Sequence, residues 1–228
     1  QEMQQLYRFA ELGQLSTALL HDLSNHLTVL TLDIEDIDKK QHSSAIKRAK
    51  HTMIYLDKIV EQVKLRLQED GQLEILSVYK TVQEVSAQLR PRANRYKVAL
   101  TLQANTQAKQ AVIMGSPIRL SQVLAIVLTN AIDAYAQIGT RTKQEVVVSL
   151  KLQKDKLVVS VKDWGKGIAP AQRHKLFKPF YSTKEDGMGI GLFIARQMLE
   201  DRLHGSITLA AQQRPTEFII TFPLKQQP

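Results

Sequence analysis

Hydrophobic and polar positions divide the chain into two stretches with different periods. Early apolar residues fall at Leu12, Leu15, Leu19, Leu23, Leu27, Leu30, Ile34 and Ile37, steps of three and four that predict one long amphipathic helix. A polar break over 38–44 follows, where Ser43 or Ser44 can cap, and Ala49, Met53, Leu56, Val60, Val63 and Leu67 then repeat the pattern. The short connection makes the two helices antiparallel neighbours. Two helices alone cannot enclose a core, so two copies are expected to associate as a homodimeric four-helix bundle.

Asp70 and Gly71 close that stretch, and strand and helix patterns alternate afterwards. Strands are predicted over 74–78, 97–103, 111–114, 146–153, 156–163, 206–211 and 217–222, and helices over 79–90, 117–137 and 190–203. Lys154 and Asp155 form the tip of an antiparallel hairpin. The fold class is therefore α+β: a helical hairpin over 1–70, then an α/β sandwich over 71–228.

Composition narrows the field. With no cysteine, disulfide frameworks and thiolate metal sites are excluded. The longest apolar run, Val123 to Leu128, is too short to cross a bilayer, and the start lacks a secretion-signal pattern. A cytoplasmic setting with no membrane contact inside this stretch is expected. The pattern is already helix-like at Gln1, so a longer parent chain is expected too. The formal charge of +9 suits a polyphosphate or an acidic partner as well as nucleic acid. Because the basic residues are scattered with few aromatics among them, no nucleic-acid partner is expected.

Four clusters in the second stretch carry chemistry. Asn130 interrupts an apolar helix, and Asp133 lies one turn on; their oxygens could hold hydrated Mg²⁺, or Asn130 could be hydrogen-bonded inside the fold. Asp163-Trp164-Gly165-Lys166-Gly167 ends a strand; its carboxylate suits an adenine amino group, although such a sequence is also ordinary turn chemistry. In the third cluster, Phe177 and Phe180 read as core or as support for a lid, while Lys184 lies where a mobile ammonium reaches phosphate oxygens. The fourth, Gly187, Gly189 and Gly191, opens a helix and exposes amides to an anion. Its spacing matches neither the dinucleotide fingerprint nor a Gly-Lys-Ser/Thr phosphate loop.

In this order the clusters resemble the Asn box, the two glycine boxes and the intervening Phe box of the ATP-binding domain shared by histidine kinases, gyrase-type ATPases, Hsp90-type chaperones and MutL, over about residues 74–224. The resemblance implies ATP as substrate, Asn130 on Mg²⁺, Asp163 on the adenine amino group, Gly165 and Gly167 against the base, Lys184 near the phosphates, and Gly187, Gly189 and Gly191 in the lid and phosphate contacts. One departure is Ile126, which stands where such families often carry a second Asn.

The helical hairpin singles out histidine kinases, because the other members lack such a module upstream. His21 lies two residues from both Leu19 and Leu23, off the apolar stripe. His21-Asp22, with Asn25 one turn later, is similar to the phosphoacceptor box of those kinases. In that reading His21 is the nucleophile, Asp22 takes the proton of the other ring nitrogen, and Asn25 orients a water for dephosphorylating a partner. His26 replaces the proline many relatives have, so the helix need not kink there. The implied cycle passes phosphate from ATP to His21 and on to an aspartate of a response-regulator receiver domain. The rival readings are a catalytically degenerate dimeric scaffold and a member acting mainly as a phosphatase.

Overall fold

A computed structural model of the chain describes residues 73–136, 144–179, 181–184, 189, 191–211 and 214–224. All of them lie in the unit Asp70–Pro228. The predicted helical hairpin, with His21, Asp22 and Asn25, falls outside the described residues, as do Phe180 and Gly187.

The described elements run β1 (Glu74–Ser77), α1 (Val78–Arg95), β2 (Ala99–Ala104), α2 (Thr106–Gln110), β3 (Val112–Gly115), α3 (Pro117–Asp133), β4 (Glu145–Gln153), β5 (Lys156–Asp163), α4 (Pro170–Arg173), α5 (Gly191–Arg202), β6 (Ser206–Leu209) and β7 (Thr216–Pro223). A five-stranded sheet has the order β2-β4-β5-β7-β6, and β1 pairs with β3 in a separate ribbon. The β2–β4 pair is parallel and the other pairs are antiparallel.

Alternation in the strands decides which face meets the helices. Leu157, Val159 and Val161 of β5 are buried and lie opposite Phe222, Ile220 and Phe218 of β7. Across β4 their partners are Leu152, Leu150 and Val148. This period-2 row is the floor of the core. Above it α3 supplies Leu120, Val123, Leu124, Val127 and Leu128, all fully buried, at the three- and four-residue spacing that keeps one helix face inward. Each such Leu contributes about 1.5–3 kcal/mol by leaving water. Helix α3 packs between α1 and α5, so its C-terminal turns reach the end of the sheet where β5 finishes.

Local signals account for the helix starts. Ser116 caps α3 by accepting a hydrogen bond from the Arg119 amide at 3.5 Å, with Pro117 in the first turn. Ser77 caps α1 through the Lys80 amide at 3.4 Å.

Two expected helix ends required correction. Helix α1 does not stop at Arg90 but passes through Pro91 to Arg95, and Ala93, beyond the proline, is buried in the core. Helix α3 ends at Asp133 rather than Gln137, because the Tyr135 and Ala136 amides turn back onto Ile132 and Asp133. The short helices α2 and α4 are additional elements, too short to show a period in the sequence.

Candidate functional site

The last inward-facing position of β5 breaks the apolar row. Where the alternation calls for another Val or Leu, the chain places Asp163, only 2% exposed. Its direct neighbours are Val146 on β4 and Thr216 on β7. Burial pushes the Asp163 carboxyl up to about 6, against the opposing hydrogen bonds from the Gly165 amide and the Thr216 side chain. The Gly165 amide donates to Oδ1 at 3.0 Å. A carboxylate desolvated this far, with so few protein donors, is a strong acceptor for an amino group entering from outside.

The loop after Asp163 is pinned to the end of α3. The Lys166 amide donates to the Ala134 carbonyl at 3.1 Å. A Cβ on Gly165 would lie 2.5 Å from the Ala134 Cβ and 2.7 Å from its carbonyl oxygen, so only glycine fits. Gly167 has φ of 75°, again a glycine conformation.

Tyr135 completes the anchor. Its buried hydroxyl donates to the Glu145 carbonyl at 2.7 Å and accepts from the Trp164 amide at 2.8 Å. One side chain thus ties the end of α3 to the start of β4 and to the residue after Asp163. Desolvation pushes its phenol up.

Asn130 and Asp133 lie one turn apart on the same stretch of α3, as the spacing implied, and share a cation. The Lys184 ammonium donates to Asn130 Oδ1 at 2.9 Å and to Asp133 Oδ2 at 2.8 Å. The other carboxylate oxygen, Asp133 Oδ1, accepts from Arg92 Nε at 2.7 Å. Burial pushes the Asp133 carboxyl up, but Arg92 and Lys184 outweigh it and hold it below its ordinary value. Ser182 fixes the backbone of Lys184, its hydroxyl accepting from the Lys184 amide at 3.0 Å.

The glycine cluster approaches α3 one turn earlier. Gly191 opens α5, and a Cβ there would lie 3.4 Å from Ile126 Cγ2. Ile126, noted above as a departure, therefore faces a residue with no side chain. Gly189, with φ of 68°, lies so close to the Tyr181 backbone that a Cβ would come within 2.4 Å of it. Phe177 is packing rather than site: it meets Phe218 edge-on at 6.4 Å between ring centroids.

The C-terminal turns of α3 are thus the hub. Ile126 meets Gly191, Asn130 and Asp133 hold Lys184, Ala134 receives Gly165 and Lys166, and Tyr135 holds Trp164. Four clusters spread over 130–191 become one site. Sequence reasoning missed Arg92, Tyr135, Thr216 and Ser182. Only Thr216 left a readable trace, as the position facing Asp163 once β5 and β7 are paired.

Asn130 and Asp133 suit Mg²⁺ as donors. Both present hard oxygens that already converge on a cation, and Mg²⁺ needs one or two protein ligands, the rest coming from phosphates and water. Among the described residues no group of three or more His, Cys, Asp or Glu could hold a metal by itself. Among them also, no helix is long and apolar enough to cross a membrane.

A mixed five-stranded sheet packed against helices makes this a two-layer α/β domain. Residues 115–226 match the family of histidine kinase-, DNA gyrase B- and HSP90-like ATPases. The C4-dicarboxylate transport sensor protein DctS of Rhodobacter capsulatus is 27% identical over 234 residues, covering 96% of this chain and 35% of its own length. Sensor protein FixL of Bradyrhizobium diazoefficiens is 26% identical over 212 residues, covering 87% of this chain and 41% of its own. The chain therefore spans well under half of these relatives. Among solved structures, the nucleotide-free catalytic domain of histidine kinase ThkA superposes with a TM-score of 0.58 at 23% identity, covering 68% of this chain and 97% of that one. ThkA in complex with the response regulator protein TrrA gives 0.69 at 20% identity, over 96% of this chain and 64% of that one. These matches support a two-component histidine kinase catalytic core.

Proposed function

We propose that this chain binds Mg²⁺·ATP at the end of α3 and transfers the γ-phosphoryl group to His21, from which it passes to an aspartate of a response-regulator receiver domain. The supporting observation is Asp163, a buried carboxylate in an apolar row beside a helix end that gathers every other nucleotide cluster. Other relatives, named as sensor histidine kinases, favour this over a degenerate scaffold.

In this reading Asp163 accepts from the adenine amino group, and Gly165 and Gly167 let the base approach the backbone. Asn130, with Asp133 beside it, holds the metal, Lys184 engages phosphate oxygens, and Gly187, Gly189 and Gly191 border the phosphates. Bound Mg²⁺ neutralises charge on the β- and γ-phosphates. A neutral ring nitrogen of His21 forms the new N–P bond as the bridging P–O bond breaks and ADP leaves, while Asp22 takes the proton from the other ring nitrogen. Asn25 orients water for the reverse service, hydrolysis of the partner's aspartyl phosphate. Residues 1–70 form the dimerising helical hairpin and residues 71–228 the catalytic domain; the dimer supplies the four-helix bundle.

The test is incubation with Mg²⁺ and γ-labelled ATP. Label that is acid-labile, base-stable and abolished by His21→Gln supports the reading; label surviving that substitution, or none in the parent, overturns it.

A further inference from the structure

The most unexpected contact in the site is between two of its own parts. Lys184 stands close enough to Asn130 and Asp133 to use the oxygens that a metal ion would need, at 2.9 and 2.8 Å. We propose that the Lys184 ammonium is a built-in competitor of the metal ion: it holds the metal's oxygens until Mg²⁺ displaces it, and is then released toward the phosphates. This rests on the reading of Asn130 as metal ligand.

Three observations carry it. First, the contact is chelate-like. One ammonium bridges an amide oxygen and a carboxylate oxygen from successive turns of α3, as a small cation would. Secondly, both Asp133 oxygens are already engaged, Oδ1 by Arg92 Nε at 2.7 Å and Oδ2 by Lys184 at 2.8 Å. A metal that takes Oδ2 competes with Lys184 for it. Thirdly, Lys184 is aimed from its own loop, with the Ser182 hydroxyl accepting from its amide at 3.0 Å. Its side chain is 34% exposed against 12% for Asp133, so the lysine can swing away while the carboxylate stays.

The arrangement links metal and nucleotide. Metal alone must break the lysine contacts without compensation, whereas metal arriving with a polyphosphate gives the displaced ammonium a new anion. Binding of either then strengthens the other by the same factor.

Mn²⁺ binding, followed by electron paramagnetic resonance on the full chain without nucleotide, separates this from a lysine that only serves phosphate. Lys184→Met should bind Mn²⁺ about fivefold more tightly than the parent, the upper end for release from a partly exposed ion pair. Lys184→Arg, which keeps the competing cation, should stay near the parent. Adding Asp133→Asn to the methionine variant should abolish the gain. With a non-hydrolysable ATP analogue present, the advantage of the methionine variant should shrink or reverse. Equal or weaker Mn²⁺ binding by Lys184→Met, no binding in any variant, or a gain surviving Asp133→Asn overturns the competitor. His21 labelling on the same preparations keeps the two proposals apart. Label with unchanged Mn²⁺ affinities strikes only the competitor, and a fivefold gain without label strikes only the kinase.

Discussion

Asp163 sets stability against binding, and the size of the conflict follows from its surroundings. Burial raises the carboxyl from 3.8 to about 6, so the folded protein holds that proton more tightly than the unfolded chain does. The folded state is therefore favoured while Asp163 is protonated. That advantage is complete below about pH 4, declines as pH rises through the interval between the two values, and is gone above about 6. At 1.36 kcal/mol per pKa unit, keeping the ionised carboxylate buried costs about 3 kcal/mol at pH 8 and roughly half of that at pH 5. Asp163→Asn removes the charge but keeps an oxygen for the Gly165 amide. It should stabilise the domain by up to about 3 kcal/mol at pH 8, and the gain should vanish near pH 4. The same change should weaken ATP binding at least tenfold, because the acceptor for the adenine amino group loses its charge. Both effects can be read on Trp164, the only tryptophan of the chain and 42% exposed beside the site. Urea denaturation at pH 8, 5 and 4 gives the first and a fluorescence titration with Mg²⁺·ATP the second. A variant less stable than the parent at pH 8, or a gain independent of pH, would refute the reasoning.

Further outcomes follow from the anchors around Asp163. Tyr135→Phe strips the Trp164 amide and the Glu145 carbonyl of their shared hydroxyl; denaturation midpoints should show a loss of about 1–3 kcal/mol, with weaker nucleotide binding. Unchanged values would remove Tyr135 from its anchoring role. Gly165→Ala puts a Cβ 2.5 Å from the Ala134 Cβ, which packed atoms do not tolerate. ATP affinity in a fluorescence titration should drop about tenfold while circular dichroism stays that of a folded domain; parent-like affinity would show that the loop need not touch α3.

Legibility from sequence tracked how local each determinant is. The β4–β5 hairpin was readable because alternation and turn residues occupy one continuous stretch, and the pairing from Val146–Asp163 to Gln153–Lys156 matches it residue by residue. The start of α3 at Pro117 also matches the predicted position. Asn130 could be nominated because it interrupts an apolar helix, Asp133 because it lies one turn on, Asp163 because it ends a strand before two glycines, and Lys184 because it precedes the glycine cluster. What they do together was not readable. Arg92 meets Asp133 from 41 positions away, and nothing in its neighbours separates it from Arg90 or Arg95. Tyr135 reads as one more apolar helix residue until its hydroxyl finds Glu145 and Trp164. Pro91 signals a helix end by local rules, yet the helix continues past it and places Ala93 in the core.

The account depends most on the last turns of α3 forming one nucleotide site with the loops from Asp163 and Lys184. Amide chemical-shift mapping of the labelled chain, titrated with Mg²⁺ and a non-hydrolysable ATP analogue, tests that directly. The largest changes should fall on Asn130 to Tyr135, Asp163 to Gly167, Lys184 and Gly191. Shifts confined to the opposite face of the sheet, around Ser149 and Thr221, with those amides unmoved, would contradict it.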